Sequence, residues 1–542
     1  MKLVLIQPPI QDFYDTVIRL QPLGLAYLKA SVKRHLPDWE VAIKDFHQGW
    51  SRRTISWPQE LFYLRDYYPW PDQSPFSLFH HYYHFGAPFE TIAEETALEK
   101  PDLVGISSLF SPYYREVLKC AEAIKSRLNC PIVLGGSHIS AAPEMMLRHP
   151  AVDWVIRGEG EKPLVELIRA WQRQKGFEQV PNLGYKKDNQ MIFNPLGDPY
   201  PLEDLSLPDF SDLDQEKYRY EKCPLCFIIS SRGCPHRCSF CSVHSTFRHY
   251  QQRPVGDVLE EIRLRHRQGY RVFDFEDDNL TYHREAMIAL CRSLIQAFPP
   301  GEIELLAMNG ISYESLDAEL LGWMKVAGFT HLNLSLVSAD ALVRKKNRRS
   351  QGLERYLNVV GEAARLEFKM VSYQILGLPE ESLDSMLETL RLNAQLPVLL
   401  GASPFYLTPG TPIAETFPPR TGEDLFKARL TAMALETDHC KREDLYTLFV
   451  TTRIINFFKG LRFKEDLIRM EEALRQAREE GKRPARGAAI FEALFKERRL
   501  YAATKEGFKV LPRFQSKLFF NFWSRLSHIR TQEGKIIRLK DV

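Results

Sequence analysis

Apolar residues in roughly the first 170 positions form short blocks separated by amphipathic stretches, the pattern of alternating strands and helices. Between the blocks, apolar residues recur at the three- and four-residue spacing of a helix. About five strands are predicted, in KLVLIQPP, WEVAIKDF, DLVGISS, PIVLGG and DWVIRGEG. The helices predicted beside them are PLGLAYLKASVKRHL, YYREVLKCAEAIKSRL and EKPLVELIRAW. This segment is therefore predicted to be one doubly wound, Rossmann-like α/β domain.

A second alternation of strands and helices runs from about residue 250 to about residue 415 and favours a partial (β/α) barrel. Its helices include VGDVLEEIRLRHRQG and SLDAELLGWMKVAG. Its strands are predicted in CFIISSRG, YRVFDFEDDNL, IELLAMNGIS, HLNLSLVS, FKMVSYQILGLPEES and ASPFYLTPGTP. Several of these strands end in polar or small residues, and barrel enzymes keep their chemistry at that end.

Composition changes this picture little, because 44% hydrophobic and 26% charged residues are typical of a globular enzyme. The 542 residues predict two or three domains. The opening MKLVLIQPPI is too short for a signal peptide, and no apolar run approaches the length of a membrane span. Nine cysteines are too sparse for a disulfide scaffold, and an odd number cannot all pair. We expect a reducing, cytoplasmic setting.

Charge is unevenly distributed along the chain. From about Lys441 onward the net charge is about +11, against about −8 before it. The tail KLFFNFWSRLSHIR places apolar residues at helical spacing opposite basic ones. Docking on its own protein is favoured for this helix, with peripheral membrane contact or a lipid-like or phosphorylated substrate as alternatives. No RNA-recognition motif favours a nucleic acid partner.

An aromatic-rich insertion at residues 51–95 interrupts the first domain. Aromatic residues at this density rarely lie exposed. We expect them to pack the insertion onto the next domain, and the alternative is that they wall a substrate pocket.

The segment RGCPHRCSFCS carries Cys234, Cys238 and Cys241 in a CxxxCxxC spacing. Thiolates this close suit zinc or an iron–sulfur cluster. Zinc would require four ligands, which CPLC and CPHRC together could supply as a zinc ribbon, whereas a cubane held by three cysteines keeps one iron open. The barrel-like order downstream favours the cluster. Cys223 and Cys226 are left without a role, and we expect them to be buried structural cysteines rather than a second metal site. The remaining four cysteines are expected to be structural.

Small and polar residues follow the strands of the first domain, where backbone amides can approach a large ligand. In the order QPLGLAYL, SSL, GGSHIS and GEGE, residues 1–190 resemble the B12-binding domain that precedes many radical S-adenosylmethionine (radical SAM) enzymes. The resemblance implies that the cobalamin-binding residues are Pro8, Gly24, Asp45, His47, Ser107, Ser108, Leu109, Gly135, Gly136, His138 and Glu159.

Asp45, His47 and Gly49 resemble the Asp-x-His-x-x-Gly pattern of B12 domains that bind cobalt through histidine, but Gly49 stands one residue too close. This departure argues against His47 as the cobalt ligand. Relatives without a protein ligand on the lower cobalt face are common among radical SAM enzymes, so cobalamin itself is still expected.

The cysteine spacing, with Phe240 before the last cysteine, resembles the radical SAM signature, and residues 191–420 resemble its partial barrel. The resemblance implies a 4Fe–4S cluster on Cys234, Cys238 and Cys241, whose open iron chelates S-adenosylmethionine. FEDDNL stands where the family binds the amino group of that cofactor. The cofactor-binding residues it implies are Phe240, Glu276, Asp277, Asp278, Asn309, Ser335, Ser338, Gln374 and Gly377.

Both resemblances together imply a class B C-methyltransferase acting on an unactivated carbon through a 5′-deoxyadenosyl radical and methylcobalamin. Its expected substrate is a small or lipid-like molecule, and its reductant a flavodoxin or ferredoxin. The alternatives are a non-methylating reaction such as ring formation or rearrangement, and a non-catalytic corrinoid- or metal-binding regulator. Residues 421–542 are predicted to be a basic, mainly helical domain.

Overall fold

The structure is a computed structural model that describes residues 1–16, 18–349, 352–417 and 421–539. The predicted boundary at residue 420 falls among residues outside this description. The helices are α1 (Leu23–His35), α2 (Phe89–Leu98), α3 (Tyr114–Lys125), α4 (Ser137–Ala141), α5 (Pro143–Leu147), α6 (Glu161–Arg173), α7 (Val243–Thr246), α8 (Val255–Arg267), α9 (Arg284–Ala297), α10 (Ala318–Ala327), α11 (Ala341–Lys346), α12 (Leu353–Arg365), α13 (Leu383–Ala394), α14 (Pro412–Thr416), α15 (Gly422–Phe426), α16 (Arg442–Lys459), α17 (Met470–Glu479), α18 (Lys482–Glu497) and α19 (Ser516–Arg525).

The strands range from two to eight residues. They are β1 (Lys2–Gln7), β2 (Ile10–Asp12), β3 (Glu40–Asp45), β4 (Arg53–Ile55), β5 (Tyr82–Phe85), β6 (Leu103–Ser107), β7 (Ile132–Gly135), β8 (Trp154–Ile156), β9 (Leu183–Lys187), β10 (Gln190–Phe193), β11 (Arg219–Tyr220), β12 (Cys223–Ile228), β13 (Ser231–Arg232), β14 (Gln251–Gln252), β15 (Val272–Phe275), β16 (Glu304–Leu306), β17 (His331–Val337), β18 (Lys369–Leu376), β19 (Leu399–Pro404), β20 (Leu467–Arg469), β21 (Tyr501–Thr504), β22 (Gly507–Val510), β23 (His528–Arg530) and β24 (Ile536–Arg538).

The chain divides into two compact units, each assembled from three stretches of sequence. Unit 1 comprises Met1–Ile55, Tyr83–Asn279 and Leu407–Ala428. Unit 2 comprises Ser56–Tyr82, Leu280–Tyr406 and Arg429–Val542.

Unit 1 contains the doubly wound sheet that the sequence predicts. The sheet order is β10-β9-β8-β7-β6-β1-β3, and the five predicted strands pair in parallel. β1 is buried along most of its length, as expected of a central strand covered on both faces. The predicted α/β fold class is therefore confirmed.

A hairpin of β9 and β10 extends this sheet in antiparallel fashion and was not predicted. Asp188 and Asn189 form its two-residue loop with φ values of 51° and 61°. Both residue types tolerate the left-handed conformation that such tight turns require.

The predicted barrel segment also has its expected order, a parallel strand followed by a helix. β12, β15, β16, β17, β18 and β19 alternate with α8, α9, α10, α11 and α12, and α13. Unit 1 contains β12 paired in parallel with β15, and unit 2 contains the parallel sheet β17-β18-β19. β19 is LLGASP, three residues earlier than predicted, because the apolar run after Pro397 already begins the strand.

Residues 56–82 of the aromatic insertion pack onto the C-terminal region within unit 2, which differs from the expected packing onto the domain that follows the insertion in sequence. The ring of Tyr67 lies 5.5 Å from that of Tyr446, and the ring of Phe76 lies 5.4 Å from that of Phe457. The Tyr68 hydroxyl donates to the carbonyl of Thr431 at 2.9 Å.

The C-terminal region is mainly helical, as predicted, and it also contains the small sheet β20-β24-β23 and the hairpin β21-β22. In α19, Phe519, Phe522 and Trp523 are buried, and so is Leu526 just after it. The apolar face of this tail therefore packs within unit 2. Among the described residues, the helices are too short or too polar for any of them to cross a membrane.

Helix α16 covers the edge of β19. The side chain of Asn456 accepts from the backbone N–H of Leu400 at 2.9 Å and donates to its carbonyl at 2.9 Å. One amide side chain thus satisfies the exposed backbone groups of an edge strand, which would otherwise need another partner.

Candidate functional site

The three predicted cluster cysteines lie on one loop of unit 1 that follows β13. Gly233 begins the loop with φ of 77°, and a Cβ there would lie 2.4 Å from the carbonyl oxygen of His249. Glycine is therefore required at this turn. The backbone N–H of Cys241 donates to the carbonyl of Cys238 at 3.2 Å, which folds the loop back on itself.

The three thiols influence one another. Burial raises the pKa of the Cys234 thiol and raises that of Cys241 to about 11, and the charge of Cys238 contributes to both increases. The Asn279 side-chain amide donates to the sulfur of Cys234 at 3.5 Å. Metal binding would displace the thiol protons.

The donor set fits an iron–sulfur cluster. In the described residues, no three His, Cys, Asp or Glu side chains converge as the ligands of a single metal ion would. A cubane instead presents a different iron to each cysteine, so its ligands lie farther apart. Three thiols in the CxxxCxxC spacing on one loop are the type of donor that such a cluster uses.

The turn at Pro409, Gly410 and Thr411 packs beside this loop within unit 1. The hydroxyl of Ser245 donates to the carbonyl of Gly410 at 3.0 Å, and the N–H of Ile413 donates to the carbonyl of Ser239 at 2.9 Å. Ser239 lies between Cys238 and Cys241, so the turn braces the cluster loop directly.

The carboxylates of FEDDNL differ in what they bind. Asp277 is buried and accepts from the N–H of Ser230 at 3.0 Å and from its hydroxyl at 2.7 Å, so it braces the end of β12. Asp278 accepts from the N–H of Gly233 at 2.9 Å. Part of its surface is exposed, but desolvation of the carboxylate by the surrounding protein raises its pKa to about 6. Glu276 is half-buried. The predicted contact with an ammonium group stays a prediction, with Glu276 and Asp278 its better candidates.

The strand ends of β6 and β7 bring together the predicted B12-binding residues. The N–H of Ser108 donates to the carbonyl of Gly135 at 2.7 Å, and the N–H of His138 donates to that of Ser108 at 3.1 Å. A Cβ on Gly136 would lie 2.6 Å from the Ser108 carbonyl oxygen. The close packing of these two loops therefore depends on glycine.

Two buried polar atoms at these strand ends are without a hydrogen-bond partner among the described residues, the hydroxyl of Ser108 and Nε2 of His138. His138 Nδ1 lies 3.0 Å from the hydroxyl of Ser111, and burial lowers its pKa to about 4, so the ring is neutral. Buried polar groups normally find a partner. A bound cofactor with polar groups, as cobalamin has, fits this requirement.

Asp45 and His47 hold the local backbone. Asp45 accepts from the N–H of His47 at 2.8 Å and from the Tyr218 hydroxyl at 2.6 Å. His47 Nε2 lies 2.8 Å from the carbonyl oxygen of Ile18 and donates to it. The nitrogen farthest from the backbone is thus already engaged, in agreement with the spacing argument against cobalt ligation.

The other predicted B12 residues vary in exposure. Pro8 and Ser107 are buried, whereas Gly24 and Leu109 are exposed. Glu159 accepts from the N–H of Tyr200 at 3.0 Å and from Arg232 at 2.9 Å. Glu159 therefore belongs to an internal ion pair.

Unit 2 contains the remaining predicted residues. Asn309 is exposed and Ser335 is half-buried. Ser338 is buried and donates to Glu381 at 2.9 Å. Gly377 has φ of 79°, and a Cβ there would lie 2.8 Å from the Leu445 side chain.

The side chain of Gln374 faces the helix side of β18, because its amide oxygen accepts a hydrogen bond from the side chain of Asn393 in α13 at 3.0 Å. The neighbouring Tyr373 lies on the opposite face, where its hydroxyl accepts from Asn333 at 2.8 Å and donates to the carbonyl of Met308 at 3.2 Å. The predicted contact of Gln374 with S-adenosylmethionine stays a prediction.

Tyr373 is the residue on this face that the sequence interpretation missed. A Cβ on Gly401 would lie 2.4 Å from its ring, and one on Gly310 would lie 3.4 Å from it. Two glycines on separate segments thus make room for one phenol. The only local signal is an aromatic residue inside the strand VSYQIL.

Cys223 and Cys226 do not form a metal site with each other. Both lie on β12, where residues three apart point to opposite faces. Cys226 is buried as expected, whereas the expectation is wrong for Cys223, which is exposed near the start of the strand. The four remaining cysteines, Cys120, Cys130, Cys291 and Cys440, are buried as expected.

Two sequence families match the chain. The B12 binding domain matches residues 79–168, and the Radical SAM superfamily matches residues 228–392. An uncharacterized methyltransferase of Pyrococcus horikoshii is 25% identical over 409 residues, which are 73% of this chain and 79% of that protein. The anaerobic magnesium-protoporphyrin IX monomethyl ester cyclase of Cereibacter sphaeroides is 27% identical over 313 residues, which are 56% of this chain and 51% of the cyclase.

A solved structure supports the fold. The radical S-adenosylmethionine methyltransferase TsrM from Kitasatospora setae, solved with cobalamin and a 4Fe–4S cluster bound, is similar with a TM-score of 0.59 and 18% identity. The similarity covers 77% of this chain and 75% of that chain. The order of the two matched domains agrees with the order predicted from the sequence.

Proposed function

Because the chain belongs to the radical SAM enzymes that carry a B12-binding domain, we propose that it is a C-methyltransferase acting on an unactivated carbon of a small molecule. One observation carries the proposal. A single compact unit contains both the three-cysteine loop and the strand ends of β6 and β7. At those strand ends, the hydroxyl of Ser108 and Nε2 of His138 are buried without a hydrogen-bond partner among the described residues. We infer that these two places would serve as the cofactor sites that the reaction needs.

When bound, the cluster would supply the electron that cleaves S-adenosylmethionine, and cobalamin would carry the methyl group. Cys234, Cys238 and Cys241 would hold the cluster, while Asp278 fixes the Gly233 turn through a 2.9 Å hydrogen bond. Gly136 and Ser108 would receive the cofactor at the sheet edge.

Two molecules of S-adenosylmethionine are consumed for each methyl group transferred. One loses its methyl group and becomes S-adenosylhomocysteine. The other is cleaved by an electron from a flavodoxin- or ferredoxin-type reductant and becomes methionine and 5′-deoxyadenosine, which retains the hydrogen atom taken from the substrate. A second electron from this reductant is needed per turnover, because S-adenosylmethionine gives its methyl group as a cation equivalent whereas the substrate radical accepts it as a radical. The protein is proposed to act in the cytoplasm, with domain limits at residues 190 and 420.

A second candidate function is ring formation or rearrangement without methyl transfer, which the similarity to the magnesium-protoporphyrin cyclase favours. The chain covers about half of that cyclase. Both functions share the cleavage of S-adenosylmethionine and differ in whether S-adenosylhomocysteine also forms.

The test is anaerobic purification with iron, sulfide and hydroxocobalamin supplied, followed by reduction in the presence of S-adenosylmethionine and mass spectrometry of the products. Deoxyadenosine together with S-adenosylhomocysteine supports the methyltransferase. Deoxyadenosine alone favours the rearrangement, and neither product from protein with a full cluster would support the non-catalytic regulator.

Cys238→Ala tests the site itself, and Cys226→Ala is its matched control, since both cysteines are buried in unit 1. We expect Cys238→Ala to lose deoxyadenosine formation and most cluster iron, whereas Cys226→Ala retains both. Deoxyadenosine formation that survives in Cys238→Ala would overturn the cluster assignment.

A further inference from the structure

Arg232 precedes the cluster loop by one residue and is 8% exposed. Its two terminal nitrogens bind two different carboxylates. Nη1 donates to Glu159 at 2.9 Å, and Nη2 donates to Glu161 at 2.5 Å. A planar guanidinium with both arms engaged is fixed in position as well as in orientation.

The two carboxylates belong to a different domain from the arginine. Glu159 and Glu161 lie in GEGE, where Glu159 is in the connection after β8 and Glu161 begins α6, within the segment that matches the B12 binding domain. Arg232 lies within the segment that matches the Radical SAM superfamily. All three residues lie in unit 1, so the contact is internal to one compact unit.

Neighbouring residues hold all three members of the ion-pair network in place. The hydroxyl of Ser31 in α1 donates to the carbonyl of Glu161 at 3.1 Å, and the ring of Tyr27 in the same helix lies 5.4 Å from the Arg232 guanidinium. The N–H of Tyr200 donates to the second oxygen of Glu159 at 3.0 Å. Both acidic side chains are nearly buried, with 11% and 5% of their side-chain surface exposed.

A buried ion pair of this kind is a poor way to gain stability, because removing charges from water offsets most of their attraction. What it provides is a defined geometry, since any displacement leaves a buried charge unpaired. Arg232 is followed directly by Gly233 and Cys234, and the turn at Gly233 is so closely packed that a Cβ there would lie 2.4 Å from the carbonyl oxygen of His249. The position of Arg232 therefore sets the position of the first cluster ligand.

We propose that Arg232, Glu159 and Glu161 form a clasp that fixes the cluster loop to the B12-binding domain, so that Arg232 acts as a positioning residue for the encounter of the two cofactors. The role given to this clasp rests on the proposed function, whereas its geometry rests on the observed ion pairs. The clasp is defined by these three residues.

The test uses holoenzyme carrying both cofactors and measures their magnetic interaction. With the cluster reduced and the cobalamin in its Co(II) form, the cluster spin accelerates the relaxation of the cobalt EPR signal. We expect Arg232→Gln to keep full iron and cobalamin content and to lose this acceleration. Arg232→Lys, which can reach only one carboxylate, should retain part of it.

The matched control is Arg265→Gln. Arg265 is also a buried arginine of unit 1, 3% exposed, but it donates to the carbonyl of Pro208 and to Gln268 rather than to the GEGE segment. Its substitution should leave the magnetic interaction unchanged. An interaction that is equally strong in wild type and Arg232→Gln, with both cofactors bound, would overturn the proposal.

A second measurement covers the case in which Arg232→Gln does not retain its cluster. Glu161→Gln alters only the B12-binding side, and hydrogen exchange can be followed on the protein as purified. We expect faster exchange at the N–H of Gly233, 72 positions away in sequence. Unchanged exchange at Gly233 in Glu161→Gln would overturn the clasp without reference to cofactors.

If the proposed function is wrong but the clasp exists, the experiments give a different combination of results. Wild-type protein that binds cobalamin and a cluster but forms neither deoxyadenosine nor S-adenosylhomocysteine would refute the enzyme while leaving the magnetic and exchange measurements valid. Loss of the magnetic interaction in Arg232→Gln, with both products still formed in the wild type, supports the clasp and the enzyme together.

Discussion

Glu381 is expected to make the stability of unit 2 depend on pH. It is 1% exposed, and its Oε1 accepts from Ser338 at 2.9 Å and from Ser385 at 3.0 Å. Its Oε2 is buried without a partner among the described residues. Burial raises the pKa of this carboxyl from 4.5 to about 7, and the charge of Asp340 adds to the increase.

The raised pKa determines whether stability rises or falls with pH. The folded protein binds the proton more tightly than the unfolded chain, so the stabilising contribution is complete below pH 4.5 and is lost as the pH rises to about 7. Each pKa unit corresponds to about 1.4 kcal/mol, so the loss is about 3 kcal/mol. For a unit of this size, that corresponds to roughly 6 °C in melting temperature.

The perturbation is Glu381→Gln, which keeps an acceptor for Ser338 and Ser385 but cannot ionise. Its melting temperature relative to wild type should rise by roughly 6 °C between pH 4.5 and pH 8, measured by calorimetry. Glu380→Gln is the matched control, because Glu380 is exposed and paired with Lys346 at 2.7 Å. A difference between Glu381→Gln and wild type that is the same at both pH values would refute the reasoning.

Three further predictions concern other parts of the chain. Asn456→Leu leaves the N–H and C=O of Leu400 unpaired and should cost about 2 kcal/mol; unchanged hydrogen exchange at Leu400 would contradict it. Gly401→Ala should lower the melting temperature in wild type and much less in Tyr373→Ala, because its Cβ would lie 2.4 Å from the Tyr373 ring; equal losses in both backgrounds would argue against the contact. Bound Co(II) cobalamin should give an EPR spectrum without the splitting of an axial histidine nitrogen, and a splitting that disappears in His47→Ala would count against this.

The strands of the first domain and the three-cysteine loop were predictable because their signals are local. Apolar blocks bounded by turns specify β1, β3, β6, β7 and β8, and the CxxxCxxC spacing lies within eight residues. The hairpin at Asp188 and Asn189 also carried a local signal, a two-residue loop of turn-forming residues, which the interpretation overlooked.

Other features have no local signal. β18 carries both apolar and polar residues on each face, so its sequence does not reveal whether Tyr373 or Gln374 faces the helices. The pairing of Arg232 with Glu161 joins positions 71 apart, and each residue alone reads as an ordinary surface charge. Tertiary structure alone brings such groups together.

The interleaving of the two units has a consequence for how the protein is made. Residues 56–82 belong to a unit whose last stretch begins at residue 429, and the hydrogen bond from Tyr68 to Thr431 joins positions 363 apart. At roughly 5–20 residues per second of synthesis, Tyr68 waits roughly 20 to 70 s on the ribosome for its partner. During that interval the aromatic segment is exposed, so nascent chains should be substrates for chaperones, and fragments ending before α16 should aggregate rather than fold.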